Sequence, residues 1–407
     1  MFGGRGGTRS QGLLAAVLAV TLALWLVLAG DLRAARALET LAPIVLWPPD
    51  EYHTGGAYTA IQAAPDGSLY LGTTYYDGFG RLLVLPPGGR EWRVITDTGT
   101  ATGDRTTGPY SQAKIHTKPV IAPDGKVFFG TKVGQTVSKA PGSYRGGYLL
   151  VYDPATRRVT NLGMPRPHQS IIAVGLDVRR GVVYALSDPE GRLVAYDLRT
   201  RRFDDKGELK GPEKVTRYLV VLANGDVFHS AGEEAVMRYR AAADRIERLP
   251  LRFTGQGRYE PPYALAANPD GMRFHGVGMS SGQVYTYVPG EREVVVQLHG
   301  ARVPEGESPP GTHYTMTAAP DGTIYYTGVF GPSLYLLRLD PRAGRPEVVG
   351  RVEALPATPG RPFARHIIEP AKHIIVQGST AAPDGTLYVM TAYPLRVLVF
   401  PRLAARR

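Results

Sequence analysis

The sequence predicts an all-β protein, a seven-bladed β-propeller of four-stranded antiparallel blades preceded by an N-terminal hydrophobic helix. Three observations lead to this prediction. A short turn phrase occurs seven times, an alternating apolar run follows the well-preserved copies, and Gly (49) and Pro (34) are frequent among the 407 residues. Frequent Gly and Pro suit many short strands joined by tight turns. A repeat on this scale indicates the architecture before any single residue is considered.

The repeated phrase is Ala-Pro-Asp-Gly or a variant of it. Asp-Gly between alternating apolar runs is a strong hairpin signal, because Gly adopts the positive φ that a tight turn requires. The first copy, Ala64–Gly67, precedes the run Ser68–Thr73, and the second, Ala122–Gly125, precedes Lys126–Thr131. The other copies are Arg179–Gly181, Ala223–Gly225, Asn268–Gly271, Ala319–Gly322 and Ala382–Gly385.

The spacing of these turns matches one four-stranded blade per repeat. Their Asp or equivalent positions are 66, 124, 180, 224, 270, 321 and 384. The separations run from 44 residues (180 to 224) to 63 residues (321 to 384), close to the repeat lengths of known propeller blades. In the first repeat we assign strands to Tyr58–Ala64, Ser68–Thr74, Arg81–Leu85 and Trp92–Thr96.

The last repeat lacks a fourth strand, because the chain ends soon after the apolar run Arg396–Phe400. A candidate for the missing strand stands before the first repeat, at Ala42–Trp47. Pairing these two segments would close the ring and remove an exposed sheet edge, which otherwise favours aggregation. We therefore predict that they pair.

Residues 1–37 are predicted to be a signal peptide or a membrane anchor, and residues 38–407 the propeller. Leu13–Gly30 is apolar except for Thr21. Its 18 residues approach the ~20 that span a bilayer, which favours an anchor. The small-residue site Ala35–Ala37 favours cleavage. Both readings place residues 38–407 outside the cytoplasm, in the periplasm, on the cell surface or secreted.

Composition excludes some functions. The chain has no Cys, which excludes disulfides and thiolate chemistry. The net charge is +11, but Lys and Arg are scattered and are not interleaved with aromatics in a stripe. We therefore predict no nucleic-acid partner, and interpret the charge as a solvated surface.

The histidines indicate one face of the disc. Six of the nine lie before a predicted first strand or at its start, at the end opposite the Asp-Gly turns: His53, His116, His168, His313, His366 and His373. His116 and His313 each stand eight residues before their turn Asp, and Tyr58 holds the same register. These side chains are expected to meet at the mouth of the central channel, where loops on a rigid scaffold commonly carry function.

The mouth is predicted to bind a small-molecule or glycan-like ligand. No cofactor is identified, but neutral imidazoles commonly bind metals, so His116 and His313 are candidate ligands of a divalent ion acting as a Lewis acid. A neighbouring group such as Lys118 could then move a proton, which makes all three catalytic candidates. A structural role for each His remains the alternative. The candidate ligand-binding residues are Tyr58, Arg217, Tyr263, Tyr314, Gln377 and His168.

The blade phrase itself resembles a known family. Pro65-Asp66-Gly67-Ser68-Leu69-Tyr70-Leu71-Gly72-Thr73 resembles the blade signature of streptogramin (virginiamycin B) lyase-like propellers, and of the wider gluconolactonase-like and YVTN-type set. The resemblance implies the propeller fold. It also implies an alternative function, a metal-dependent lyase or lactonase with His116 and His313 as metal ligands, although no Glu holds a matching register. A further alternative is a membrane-tethered scaffold for a partner protein.

Overall fold

The computed structural model describes residues 38–49, 56–76, 78–134, 143–209, 217–230, 232–340, 343–353, 375–392, 395–401 and 403. The hydrophobic segment predicted at residues 1–37 lies outside this part of the chain, as do His53, His366 and His373. Within the described part, no helix is both long and apolar enough to span a bilayer.

Regular secondary structure in the described residues is almost entirely β-strand. The helical segments there are α1 (Thr98–Thr102) and a 3-10 turn at Gly108–Tyr110. The strands are β1 (Thr40–Leu41), β2 (Ile44–Leu46), β3 (Ile61–Ala63), β4 (Leu69–Gly72), β5 (Arg81–Leu85), β6 (Arg93–Asp97), β7 (Lys114–Ile115), β8 (Val120–Ile121), β9 (Val127–Lys132), β10 (Leu149–Asp153), β11 (Arg158–Gly163), β12 (Ser170–Asp177), β13 (Val182–Asp188), β14 (Arg192–Asp197), β15 (Arg202–Glu208), β16 (Val220–Val221), β17 (Val227–Ser230), β18 (Ala235–Arg240), β19 (Arg245–Gly255), β20 (Pro262–Ala267), β21 (Phe274–Gly278), β22 (Val284–Pro289), β23 (Val294–Leu298), β24 (Met316–Ala318), β25 (Ile324–Phe330), β26 (Ser333–Leu339), β27 (Pro346–Val352), β28 (Val376–Ala381), β29 (Leu387–Thr391) and β30 (Arg396–Phe400).

Consecutive strands pair into antiparallel sheets. The orders β3–β4–β5–β6 and β12–β13–β14–β15 each form one sheet, and β9–β10–β11 forms another with β7 and β8 both pairing to β9. The set β24 to β27 carries β1 at its outer side, and β28 to β30 carries β2. The sets β16 to β19 and β20 to β23 join into one eight-stranded sheet, because the end of the long β19 pairs in parallel with β23.

The seven predicted turns form, five of them with Asp-Gly. All seven turn glycines adopt φ between +65° and +87°, a region that only Gly occupies without strain. The Asp side chain holds the turn by accepting a hydrogen bond from the backbone N–H two residues on. Asp66 Oδ1 lies 2.8 Å from Ser68 N, and Asp384 Oδ1 lies 2.9 Å from Thr386 N. The repeated phrase is therefore structural.

Neighbouring sheets pack closely where a glycine stands in the second strand. A Cβ added at Gly72 would lie 2.5 Å from Ile115 Cγ2, and one at Gly130 would lie 2.6 Å from Ile171 Cγ2. Each isoleucine belongs to the next repeat and is buried. The two glycines hold the same register in their repeats, which explains why both runs carry glycine at this position.

The predicted closure between the two ends of the described chain is confirmed. The strand β2 pairs antiparallel with β30, with Ile44 opposite Val399 and Leu46 opposite Val397. Val45 and Leu46 are half-buried and pack against two core clusters, whereas Ile44 is 56% exposed. The hydrophobic contribution of β2 therefore comes from its last two residues.

We expect the double substitution Val45→Ser with Leu46→Ser to lower the free energy of unfolding by about 2–4 kcal/mol, because it removes two packed apolar side chains from the closing strand. Urea unfolding monitored by tyrosine fluorescence would measure this. The matched control is Ile44→Ser in the same strand, which should change the free energy by no more than about 0.5 kcal/mol because its side chain is exposed. Equal effects of the two variants would contradict this account of the closure.

Candidate ligand site in the central channel

Segments leading to all seven turns contribute to the wall of one cavity of about 320 Å³, here called the central cavity. Its wall combines apolar and polar groups, and its two cationic side chains are Lys118 and Arg217. The lining residues are Gln62, Lys118, Pro119, Val120, Ala173, Val174, Arg217, Tyr218, Leu219, Leu265, Ala266, Ala267, Thr317, Ala318, Thr380 and Ala381. A cavity shared by all seven repeats requires that the segments converge.

The cavity extends from the two cations toward the Asp-Gly turns. Lys118 and Arg217 stand six and seven residues before their turn positions, whereas Ala267 and Ala381 stand three residues before theirs.

The strand register confirms the prediction that His116 and the Asp-Gly turn lie at opposite ends of the strands. Ile115, next to His116, pairs with Thr131 at one end of β9, and Ile121, near the turn, pairs with Val127 at the other.

Arg217 reaches across the channel. Its Nη1 donates a 2.8 Å hydrogen bond to Gln377 Oε1, and its guanidinium carbon lies 5.1 Å from the ring centroid of Tyr58 and 5.4 Å from that of Tyr263. These three partners belong to three other repeats. With the rings that touch them, they form the aromatic–arginine cluster, defined as Tyr58, His116, Arg217, Tyr263, Tyr314 and Gln377.

The rings of this cluster contact one another in pairs. Tyr58 stacks on His116 with centroids 4.6 Å apart and 19° between the planes, and Tyr263 meets Tyr314 edge-on at 5.2 Å. Such contacts stabilise by about 0.5–1.5 kcal/mol beyond simple burial. Burial raises the pKa of Tyr263 to about 12 despite the opposing charge of Arg217, so its hydroxyl stays protonated.

His116 is held as a neutral ring. It is 3% exposed, and its Nδ1 is buried without a hydrogen-bond partner among the described residues. Burial lowers the pKa of His116 well below its usual range, and the positive charges of Arg217, Lys132 and Lys114 lower it further. The imidazole therefore carries no charge at neutral pH.

Two lysines beside the cluster lack a carboxylate partner among the described residues. Lys118 Nζ donates a 2.9 Å hydrogen bond to the Ser379 carbonyl oxygen, and burial lowers its pKa to about 8. Lys114 Nζ lies 4.4 Å from the ring centroid of Tyr76 and 5.5 Å from that of Tyr58. Burial, helped by the charges of Lys132 and Arg217, lowers the pKa of Lys114 to about 7.

The comparisons identify the fold. The RRP9 WD40 repeats match with a TM-score of 0.58 at 10% identity, over 89% of this chain and 99% of that chain. A chain of the mitotic checkpoint complex matches with a TM-score of 0.56 at 15% identity, over 90% and 94%. WD40 repeats build propellers. This chain has a β-propeller fold.

A third propeller match is the extracellular domain of the putative one component system BT4673 from B. thetaiotaomicron. Its TM-score is 0.52 at 11% identity, over 89% of this chain and 40% of that chain. No family model and no curated protein matches the sequence significantly. The streptogramin lyase-like and gluconolactonase-like assignments therefore stay predictions, while the broader β-propeller assignment is supported.

The predicted site residues separate into two groups. Tyr58, His116, Arg217, Tyr263, Tyr314 and Gln377 meet in the aromatic–arginine cluster, and Lys118 joins Arg217 at the central cavity. His168 does not join them. It is exposed in the loop between β11 and β12, where its Nδ1 lies 2.6 Å from the Tyr144 carbonyl oxygen. That contact is the structural role that sequence reasoning kept as an alternative.

His313 packs inside the propeller, and its contacts are with residues other than His116. Its Nδ1 lies 2.9 Å from the Thr327 carbonyl oxygen. A Cβ at Gly282 or Gly328 would lie only 2.5 or 2.9 Å from the ring, so these glycines make the space that the imidazole fills. The described residues contain no group of three or more His, Asp and Glu suited to a metal. A metal or catalytic role for His116 and His313 stays a prediction.

Sequence reasoning did not select Lys114. The signal that could have found it is the alternation Lys114-x-His116-x-Lys118, which in extended chain directs all three side chains to one side. Its companion Tyr76, which hydrogen-bonds through its hydroxyl to the Tyr58 hydroxyl, stands in the loop between the second and third strands of the first repeat. That loop belongs to the face predicted to carry the site.

The lowered pKa values of Lys114 and Lys118 predict that stability rises with pH above about 7. Between the folded value and the ordinary value of 10.5, the unfolded chain binds more protons than the folded one, so raising the pH favours folding. Each lysine should contribute a slope of up to about 1.4 kcal/mol per pH unit. Urea unfolding at pH 7, 8 and 9 would measure it.

Replacing both lysines by Met should flatten this slope. The control Lys126→Met removes an exposed lysine that pairs with Asp124 and whose pKa is raised, so it should leave the slope unchanged between pH 7 and 9. A wild-type slope that survives the double replacement would show that other groups cause it.

Proposed function

We propose that this protein is an exported β-propeller that binds a small molecule in its central channel. The observation that carries this proposal is the convergence of all seven repeats on one cavity of about 320 Å³, with Lys118 and Arg217 at one end of it. Small-molecule sites are typically concave, with volumes from about 300 Å³ and a few convergent polar groups. The central cavity has these properties.

We further propose that the ring has seven four-stranded blades, closed by β2 as the outer strand of the last. Two observations support this count. Seven turn phrases each follow a segment that lines the cavity, and the eight-stranded sheet divides into two antiparallel sets joined only by the parallel β19–β23 contact.

The proposed location is outside the cytoplasm, with residues 1–37 as a signal peptide or membrane anchor and residues 38–407 as the propeller. The apolar run Leu13–Gly30 carries this proposal. The likeness to the extracellular domain of BT4673 is consistent with it. Recovery of a shortened chain from the medium or periplasm would favour cleavage, and recovery of the full chain with membranes would favour an anchor.

A partner-protein scaffold is the second candidate function. One of the similar structures is a chain of the mitotic checkpoint complex, so this fold also serves in protein assemblies.

The lyase or lactonase alternative depends on the sequence resemblance, and elemental analysis of the purified protein would test its metal.

Filling the cavity should abolish ligand binding. We expect at least one class among monosaccharides, lactones, carboxylates and amides to bind the full-length protein, measured by equilibrium dialysis and by a rise in melting temperature. A ligand at about 100 times its Kd stabilises the folded state by about 2.7 kcal/mol. Ala318→Phe places a ring in the cavity and should eliminate both signals, as should Ala381→Phe independently.

The matched control is Ala242→Phe, which adds the same ring at an exposed turn and should leave binding intact. Binding that persists in both cavity variants would place the ligand elsewhere. Failure of every class to bind the wild-type protein would overturn the proposal and favour the scaffold.

A further inference from the structure

Positive charge gathers at the central channel. Lys114, Lys132 and Arg217 all lie close enough to lower the pKa of His116, and Arg217 shares the wall of the central cavity with Lys118. Lys132 pairs with Asp188. Within the described part of the chain, Lys114, Lys118 and Arg217 form no ion pair, although the charge of Asp188 also acts on Lys114.

The groups that position these cations are neutral. Lys118 donates to a backbone carbonyl, Arg217 donates to the Gln377 side-chain amide and lies against two tyrosine rings, and Lys114 lies against the rings of Tyr58 and Tyr76. Neutral partners orient a cation without cancelling its charge. Holding a cation out of water without a counterion costs free energy, and a bound anion offsets this cost.

The anion can enter at the central cavity. Arg217 and Lys118 both line it, so a ligand in this space would lie beside both residues. Lys114 is 8% exposed and does not line this cavity, so its charge acts on a ligand only from behind the tyrosine rings. The direct contacts therefore come from one guanidinium and one ammonium group.

The shape of these donors favours one anion. The guanidinium is a planar fork that matches the two oxygens of a carboxylate, and Arg217 is already oriented by Gln377. Beyond the cations, the wall toward the Asp-Gly turns is mainly alanine, valine and leucine, with Ala266, Ala318 and Ala381 on three repeats. Such a wall suits an apolar body of limited width.

We propose that the ligand of the central cavity is a small monocarboxylate with a compact apolar body, its carboxylate bound by Arg217 and Lys118. This inference rests on the proposed function, because it assumes that the cavity is the binding site. It adds the chemical class of the ligand and the two residues that recognise it.

Isothermal titration of the full-length protein at pH 7 tests the class with matched probes. Butanoate, hexanoate and benzoate are the carboxylates, butanamide, hexanamide and benzamide are their neutral isosteres, and inorganic phosphate is the competing anion. We expect at least one carboxylate to bind at least tenfold more tightly than its amide and than phosphate.

The residues are tested by substitution. Arg217→Gln and Lys118→Gln should each weaken the best carboxylate at least tenfold and leave its amide unchanged. Arg217→Lys keeps the charge but loses the fork, so it should fall between wild type and Arg217→Gln. The control Lys126→Gln removes an exposed lysine near a turn and should bind as wild type does. Urea midpoints at or above the wild-type value confirm that each variant is folded.

The outcomes separate this inference from the proposed function. If a carboxylate and its amide bind equally, or a neutral sugar or lactone binds while the carboxylates do not, the cavity site stands and the carboxylate class is wrong. Tighter binding of phosphate also overturns the carboxylate assignment. If no probe of any class binds, or if binding survives Ala318→Phe and Ala381→Phe, the proposed function itself fails.

Discussion

The pairing of β2 with β30 is the constraint on which the other features depend. It joins a strand near the start of the described chain to the last strand, and the core cluster beside it contains Ile61 and Leu69 from the first repeat with Met390 and Val397 from the last. Without β2, the outer edge of β30 would present unpaired backbone groups and lose apolar cover. An exposed strand edge of this kind is a site for aggregation, and pairing with β2 covers it.

Convergence at the channel follows from this closure. When repeats pack side by side around a ring, their first segments must approach a common axis, so single side chains can reach residues far away in sequence. Arg217 contacts Gln377, which is 160 residues away, and Lys118 contacts the carbonyl of Ser379, which is 261 residues away. Such contacts make the channel a product of the whole ring, and no repeat could build it alone.

The central channel holds positively charged side chains whose burial does not stabilise the fold. Core positions around it are apolar, yet Lys114, Lys118 and Arg217 remain there with neutral partners, and burial lowers the pKa of both lysines. Functional sites commonly hold groups that destabilise the free protein, because the ligand supplies the missing interaction. The stability slope with pH depends on Lys114 and Lys118, whereas the preference among ligands depends on Arg217 and Lys118, so Lys118 contributes to both.

The sequence by itself determined the all-β fold, the seven turns, the closing strand and the register that brings Tyr58 and His116 together, because Asp-Gly turns and strand alternation are local properties. Only the tertiary structure decided the direction of individual side chains. His313 shares the register of His116, but glycines from two other segments open a space that it fills. Packing between sheets also decided three further features: the extent of the cavity toward the Asp-Gly turns, the burial of Lys114 and the parallel β19–β23 junction. This packing depends on residues that are distant in the chain.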